Sequence, residues 1–257
     1  MNPTIYSVNM YKSEHTDFIL SPLSDILEEG FLACQAVGDG IESYPLCDYV
    51  LQSLFLKLTG AQEQKLKCIC WDLATKDYDY RYEYLNRKNY GECSNYDSKN
   101  GIFKDLISII LKRDSTFDPT GTLRADLSAY LPKLSKMYDG SLMSEWQASE
   151  YFYYKSSFLS NISASQIGQS QQNKGGNTTY SLFQSTVKDI YEDVVYRHRN
   201  RCAHNTLSYQ INKPDLSFLA SDDALKHNYF LRFALILVID KVFVVLFKKY
   251  LSLQSEY

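Results

Sequence analysis

The sequence predicts an all-α fold, and three observations support that prediction. Apolar residues recur at helical spacing along most of the chain, and a polar capping residue precedes the first of these runs. Near the C-terminus, a long apolar run has the character of a buried helix. With 257 residues, 45% of them apolar and 22% charged, the chain can also bury one large core. We therefore expect a helical bundle formed by a single domain, residues 1–257.

The first helices are predicted within the N-terminal third of the chain. Ser24 can cap a helix that extends to about Val37, with acidic side chains near its positive end. After a break at Gly38 and Gly40, apolar residues recur at helical spacing, which indicates either one long helix bent at Gly60 or two helices in tandem. These apolar residues are Leu46, Val50, Leu54, Leu58, Leu66, Ile69 and Leu73.

The secondary structure of the middle of the chain is only partly determined by its sequence pattern. Polar and aromatic residues alternate from Asp77 to Tyr84, which favours a strand, although a helix extension or a packed loop fits the helical context equally well. Periodicity then predicts three helices, at about 102–110, 123–136 and 142–160. The stretch Asp114–Gly121 is expected to connect the first two, and Pro132 to end or kink the second.

Residues 160–179 are rich in Ser, Gln, Asn and Gly and predict a mobile loop or linker. A further helix is expected to begin near Leu182, with a stripe that includes Phe183, Val187 and Val194. The simplest architecture is a helical core of residues about 18–75 and 181–250. Residues about 76–180 would then be a helical insertion packed on that core.

The apolar run Tyr229–Phe247 has the length of a membrane span, but Arg232, Asp240 and Lys241 interrupt it. Each charge near the centre of a membrane helix costs roughly 2.5–3.5 kcal/mol. A buried helix, at the centre of the bundle or at a subunit interface, fits this run better. Because the N-terminus also lacks the features of a signal peptide, we expect a cytoplasmic protein without membrane contact.

Composition narrows the chemistry that the chain can support. The net charge is −3, so contact with a nucleic acid requires a local basic patch. The six cysteines have the spacing of neither a metal site nor a disulfide framework, and they predict reduced, mostly buried thiols. The sequence contains no Gly-x-Ser-x-Gly or His-Glu-x-x-His pattern and no phosphate-binding glycine loop. We expect no metal and no cofactor.

The best chemical candidates lie in the segment 197–204, which holds three Arg, two His and one Asn. If the preceding helix continues, four residues share one face by their spacing: Arg197, Asn200, Arg201 and His204. Arg199 would lie about 140° away from His204 around the helix. Arg donors suit phosphate and His titrates nearest neutrality, so the cluster can handle a phosphate and a proton. The alternative is a solvated helix end whose basic residues complement the helix dipole.

The string Arg199-Asn200-Arg201-Cys202-Ala203-His204 resembles the Arg-Asn-x-x-x-His signature of the HEPN superfamily. That superfamily consists of all-helical domains and includes many metal-independent ribonucleases of bacterial defence and toxin systems. In this chain, as in the family, the motif follows an amphipathic helix and precedes a strongly apolar terminal helix. The resemblance implies a HEPN-like helical bundle.

The resemblance also implies an activity, which is RNA cleavage through attack of the ribose 2′-hydroxyl on its own phosphate. Arg199, Asn200 and His204 would be catalytic, with His204 the general acid or base. Arg197 and Arg201 would bind substrate, and Arg197 competes with Arg199 for the phosphate. His198 is interpreted as structural or flanking.

The implied partners are RNA, such as tRNA or another cellular RNA, and a second copy of the chain. In the family the active site is usually composite, so the two His204 side chains of a symmetric homodimer would face a shared groove. A regulatory or antitoxin partner is also implied. Two alternatives stay open, namely a non-catalytic HEPN-like module that binds nucleotide, nucleic acid or a protein, and a purely structural helical protein.

Overall fold

A computed structural model of the chain describes residues 13–34, 40, 43–86, 90–173, 175–203 and 225–254. These residues are predominantly helical, which confirms the all-α prediction. The helices before the hairpin are α1 Thr16–Leu20, α2 Ser24–Cys34, α3 Tyr44–Lys76, α4 Tyr78–Asn86, α5 Tyr96–Arg113, α6 Pro119–Leu134, α7 Leu142–Trp146 and α8 Ala148–Asn161. After them come strands β1 Ile167–Gln172 and β2 Thr178–Phe183, helix α9 Ser185–Ile190, a π-helical segment Tyr191–Tyr196, α10 Arg197–Ala203 and α11 Tyr229–Ser252.

Helix α3 is continuous over 33 residues, so the sequence that suggested either one helix or two forms one. Gly60 lies in its interior, where an added Cβ atom would meet open space. Side chains of α3 reach both α11, through Gln62 and the Ile236 carbonyl, and α10, through Glu63 and Arg199. Helix α3 therefore connects the buried centre of the bundle with the basic cluster.

Side-chain caps explain where several helices begin. Asn95 accepts a hydrogen bond from the Ser98 N–H at 2.8 Å at the start of α5, and Asn228 accepts one from the Leu231 N–H at 2.8 Å at the start of α11. Asp118 caps α6, which begins at Pro119 and therefore inside the stretch expected to be a connection. Proline has no backbone N–H, and the first helical position needs none. A proline can therefore begin a helix as readily as it can interrupt one.

The alternating segment after α3 is helix α4, so the strand alternative is wrong. Asp77 decides this, because its Oδ1 accepts the N–H of Tyr80 at 2.8 Å and begins a new helix directly after α3. Tyr80 is buried and its ring stacks on Tyr84 at 5.9 Å between centroids. Tyrosines spaced four apart thus share one helix face, although the sequence around them alternates.

The predicted loop at 160–179 is wrong from Ile167 onward, because strand β1 pairs there with β2 in an antiparallel β-hairpin. The hairpin is anchored at its base, where Ile167, Leu182 and Phe183 are buried, whereas its distal residues are exposed. Gly168 adopts a positive φ of 64°, a conformation that favours glycine. Because Leu182 and Phe183 belong to β2, the following helix begins at Ser185 and not near Leu182.

Helix α11 is buried on all sides, which confirms the expectation that the terminal apolar run is a core helix. Helices α3, α5, α6 and α8 pack against it, so parts of 76–180 share one continuous core with the flanking regions. None of the described helices combines the length and the apolar character that a membrane crossing requires.

The cysteines Cys34, Cys47, Cys68, Cys70 and Cys93 are buried free thiols, and Cys202 is half-buried.

Candidate functional site: a basic cluster on the motif helix

The basic cluster lies on what we call the motif helix, residues 185–203, which comprises α9, the π-helical segment and α10. A π-helical turn contains one extra residue, and such turns occur often at functional sites. Here the π-helical segment ends at Tyr196, immediately before Arg197. The local geometry therefore changes at the start of the predicted chemical residues.

The extra residue also changes which side chains face the bundle. Val187, Tyr191 and Val195 are buried, and the inward face then continues to Arg199 and His198. Arg197 points outward with its side chain 75% exposed and donates to Asp193 Oδ1 at 2.7 Å. The expectation that Arg199 lies off the face of Arg197 holds, but Arg199 faces the protein interior.

Glu63 on α3 holds Arg199 by two parallel hydrogen bonds. Arg199 donates from Nε to Glu63 Oε1 at 3.2 Å and from Nη2 to Oε2 at 3.1 Å. The side chains are only 22% and 11% exposed, so this bidentate ion pair is well shielded from water. Since these bonds use one edge of the guanidinium group, the N–H groups of Nη1 remain on the other edge.

A second cation shares the surroundings of Glu63. Lys99 on α5 is buried and its Nζ donates to the Cys93 carbonyl at 2.8 Å. Burial lowers the Lys99 pKa to about 8, while the charge of Glu63 opposes that shift and Arg199 adds to it. Glu63 thus compensates both cations. This role could not be predicted from the sequence, because Arg199 and Lys99 come from segments far from Glu63 along the chain.

His198 lies on the inner side of α10 and is not suited to proton transfer. Its ring contacts the rings of Phe55 and Tyr229 at centroid distances of 4.9 and 5.3 Å. Nε2 lies 3.3 Å from the Tyr229 hydroxyl and 3.5 Å from Cys202 Sγ. Burial, with Arg232 and Arg201 nearby, lowers the His198 pKa to about 2, so the ring is neutral. This geometry fits the structural interpretation of His198.

The other predicted site residues divide into two groups. Asn200 and Arg201 lie on α10 and are half-buried. Arg201 is close enough to Arg232 and His227 to lower the pKa of both. His204 follows the last described residue of α10 and lies outside the described residues, so its approach to Arg199 and Asn200 stays a prediction.

Two further residues, Arg232 and His227, lie at this site although the sequence did not predict them as site residues. Arg232 on α11 is buried, donates from Nε to the Val194 carbonyl at 3.0 Å, and lies over the Tyr229 ring at 5.0 Å. Its bond to the π-helical segment satisfies a carbonyl where the regular helical ladder is opened. His227 Nε2 lies 3.1 Å from Asp193 Oδ2. Neither residue belongs to a recognised motif. Only the residue types, arginine and histidine, indicated that they could contribute to a site.

Other candidate sites are weak among the described residues. They contain no cluster of three or more His, Cys, Asp or Glu side chains that could hold a metal ion. A shallow depression on α8, lined by Phe152, Tyr153 and Leu225 among others, does not include the basic cluster. Comparison of the chain with protein-family models, curated proteins and solved structures gave no match.

Proposed function

We propose that the protein is a metal-independent endoribonuclease whose active site is built on the end of the motif helix. The observation that carries this proposal is the guanidinium group of Arg199, which Glu63 fixes along one edge. An arginine held in this way is oriented before a ligand arrives, so little side-chain entropy is lost when its other edge meets a phosphate. Arg197 and Arg201 add positive charge on the same short helix.

The proposed reaction needs only acid–base chemistry and charge stabilisation. The ribose 2′-oxygen attacks the adjacent phosphorus, the P–O5′ bond breaks, and a 2′,3′-cyclic phosphate and a free 5′-hydroxyl form. His204 acts as general acid or base, a role typically worth about 10²–10⁴-fold in rate. Arg199 stabilises the charge that develops on the phosphate oxygens, and Asn200 orients the imidazole or the phosphate.

The two arginines that compete for the phosphate differ in accessibility. Arg197 is 75% exposed and forms a surface ion pair with Asp193, whereas Arg199 is 22% exposed and held by Glu63. Exposure suits Arg197 for first contact with the RNA backbone, and rigidity suits Arg199 for the transition state. We therefore assign substrate binding to Arg197 and Arg201, and catalysis to Arg199.

We place this activity in the cytoplasm of a bacterial defence or toxin system, with tRNA or another cellular RNA as substrate. By the resemblance, the active form is a symmetric homodimer in which two His204 side chains share a groove, and a regulatory or antitoxin partner restrains it. Analytical ultracentrifugation at micromolar concentration tests the dimer. A monomer with full activity would contradict it.

The decisive experiment is RNA cleavage in EDTA. Wild-type protein is incubated with total RNA beside the variants His204→Ala and Arg199→Ala, and the new ends are tested for a 2′,3′-cyclic phosphate. Arg124→Ala is the matched control, because Arg124 is an exposed arginine on α6, away from the basic cluster. We expect losses of at least 100-fold for both site variants and none for the control. Because a trigger can be required, growth inhibition on induced expression is measured as well.

One observation favours a non-catalytic module as the second candidate. Arg199 already has an anionic partner, and a fully satisfied pair can serve as a structural link between α10 and α3. Such a module would bind nucleotide, nucleic acid or a protein without cleaving RNA. Binding of labelled RNA that persists in His204→Ala, with no cleavage by wild type and no growth inhibition, would favour this function over the nuclease.

A further inference from the structure

A short turn at residues 90–95, which we call the 90–95 turn, is anchored beside the basic cluster. Lys99 of α5 donates to the Cys93 carbonyl at 2.8 Å. The Tyr191 hydroxyl, on the motif helix, donates to the Ser94 carbonyl at 3.2 Å. The backbone of the 90–95 turn is therefore held between α5 and the motif helix.

Glu92, in this turn, places a carboxylate beside two cations. Its side chain is 73% exposed and forms an ion pair with Lys67 of α3, whose side chain is 35% exposed. Lys67 follows Glu63 by one helical turn, so their side chains are neighbours, with about 5–6 Å between the Cβ atoms. The hydrogen bond from Lys67 lowers the Glu92 pKa most, and the charge of Arg199 lowers it further. Glu92 therefore lies at the exposed rim of the Glu63–Arg199 pair.

The balance of charge at this rim favours an anion. Three cations among the described residues lie near Glu63, namely Arg199, Lys67 and Lys99. Glu92 supplies a second negative charge. An exposed ion pair stabilises a protein little, because water competes for both partners. The Glu92 side chain can consequently turn away from Lys67 into water while the backbone of the 90–95 turn stays in place. Three positive charges would then face the one negative charge of Glu63.

We propose that Lys67 is a further phosphate-binding residue of the RNA site, and that the Glu92 carboxylate occupies the position of the phosphate until an RNA phosphodiester displaces it. This inference rests on the proposed function, because it takes RNA as the ligand of the basic cluster. A phosphodiester has one negative charge and accepts hydrogen bonds from the same N–H donors as a carboxylate. A phosphate in place of the Glu92 carboxylate would contact Lys67 and lie beside Arg199.

Displacement of Glu92 gives the site a preference for a polyanion over a small anion. A small anion must compete with Glu92, which the turn keeps at a high effective concentration beside Lys67. An RNA strand also meets Arg197, which is 75% exposed on α10, and therefore gains further contacts when one phosphate replaces the carboxylate. Lys67 should thus contribute to RNA affinity, and Glu92 should reduce that affinity without abolishing it.

Binding to an RNA that cannot be cut tests the inference separately from catalysis. The probe is a fluorescent single-stranded 2′-O-methyl RNA oligonucleotide, which keeps the phosphate backbone and lacks the attacking 2′-hydroxyl. Fluorescence anisotropy gives its Kd between about 50 and 200 mM salt. The variants are Lys67→Gln, Lys67→Arg, Glu92→Gln and the double variant Lys67→Gln/Glu92→Gln. Lys57→Gln and Glu29→Gln are the matched controls, because they alter an exposed ion pair that lies about 15 Å earlier along α3.

We expect Lys67→Gln to weaken binding about 3–10-fold and to reduce the salt dependence, the slope of log Kd against log salt, by about 0.7, the value for one phosphate contact on a single strand. Lys67→Arg should bind within about twofold of wild type, since it keeps the charge and the donors. Glu92→Gln should bind about 2–5-fold more tightly, because the competing carboxylate is removed. The double variant should bind like Lys67→Gln, since Glu92 acts through Lys67. Each control should change Kd by less than about 1.5-fold.

Three results would overturn the inference. If Lys67→Gln has the affinity and salt dependence of Lys57→Gln, Lys67 does not bind phosphate, although His204-dependent cleavage would still support the ribonuclease. An equal gain from Glu92→Gln with and without Lys67 would mean that Glu92 acts only through net charge and is not displaced. Absence of binding by wild type would reject RNA as the ligand. In contrast, Lys67-dependent binding without any His204-dependent cleavage or growth inhibition would reject the ribonuclease and support Lys67 as an RNA-binding residue.

Discussion

Two ion pairs that start two residues apart on helix α3 have different environments. Lys65 pairs with Asp240 of α11 at 2.7 Å, and their side chains are 4% and 7% exposed. Glu63 pairs with Arg199 of α10, and their side chains are 11% and 22% exposed. Both pairs join α3 to a distant segment. They differ in how many of their polar atoms form hydrogen bonds within the protein.

The Lys65–Asp240 pair is closed on both sides by further bonds. Lys65 also donates to the Ser21 carbonyl, and Asp240 Oδ2 accepts the Leu23 N–H at 3.0 Å. The pair thus fastens the segment between α1 and α2 onto α3 and α11. Both carboxylate oxygens have partners and both side chains are almost fully buried, so this arrangement holds the fold and offers nothing to a ligand.

The Glu63–Arg199 pair is shielded but keeps one guanidinium edge beyond the bonds to Glu63. It also lies on the helix that contains the rest of the basic cluster. An ion pair that uses only part of its donors can hold a side chain in place and still bind an anion. Burial alone therefore does not separate a structural pair from a candidate functional pair, whereas the number of remaining hydrogen-bond donors does.

The largest effect is expected from breaking the closed pair. Lys65→Met should lower the free energy of unfolding by about 3–5 kcal/mol, because it leaves Asp240 buried without its cation. Urea denaturation followed by circular dichroism measures this. The double variant Lys65→Met/Asp240→Leu should recover most of the loss, and cleavage per folded molecule should not change. A loss below about 1 kcal/mol in the single variant would show that the pair is not structural.

The second-largest effect is expected from His198, on the side of α10 that faces the interior. Its pH dependence tests whether water is excluded there as it is around Lys65 and Asp240. His198 has a pKa of about 2 in the folded protein and about 6.5 when unfolded, so the unfolded state binds more protons below pH 6.5. Stability should therefore fall as the pH falls below 6.5, by about 1.4 kcal/mol per unit from this group. Between pH 6.5 and 5 the contribution is about 2 kcal/mol.

Urea denaturation at the two pH values measures the His198 effect, with His198→Asn as the comparison. The variant should lose less stability on acidification than wild type, by about that 2 kcal/mol. Equal losses in both proteins would mean that His198 is accessible to water in the folded state. The His15→Ala variant controls for the removal of any histidine, since His15 lies elsewhere, beside Trp71.

A smaller loss of stability, joined to a loss of activity, is expected at the open pair. In Glu63→Gln the amide group cannot accept the second bond from Arg199 and leaves Lys99 without its compensating charge. We expect about 1.5 kcal/mol of destabilisation and, because Arg199 is held by one bond instead of two, about a 10–100-fold decrease in kcat for RNA cleavage. Glu29→Gln is the matched control, since Glu29 is 71% exposed and pairs with Lys57. Lowered stability with an unchanged kcat would make the open pair structural, like the closed one.

The charged residues of helix α11 could be predicted from the sequence only in part. The interruption of the terminal apolar run by Arg232 and Asp240 correctly predicted a buried helix. The partners of these two charges could not be predicted, because Lys65 and the Val194 carbonyl lie 175 and 38 residues away. Periodicity reports which face of a helix is buried, but only the tertiary fold determines what it meets.

The motif helix shows a second limit. The spacing of a regular helix gave no sign that Arg199 and His198 would face the core, because the π-helical segment rotates the positions after it by about 100°, the angle of one helical residue. Arg199 and His198 therefore face inward and Arg197 faces out. No residue type identifies a π-helical turn in advance. The hairpin was missed for a related reason, since only its base is buried and its polar remainder has the composition of a loop.

The smallest effect is expected at a third pair on α3, which extends the comparison to the surface. Lys57 lies 3.4 Å from Glu29 of α2, and their side chains are 57% and 71% exposed. Lys57→Gln should change the free energy of unfolding by no more than about 0.5 kcal/mol, since water and salt replace the partner, and kcat should stay unchanged. Urea denaturation at low and high salt measures this. If Lys57→Gln cost as much as Glu63→Gln, the number of remaining donors and the degree of shielding would not explain the difference among the three pairs. Long-range repulsion among charges would then have to be included for all of them.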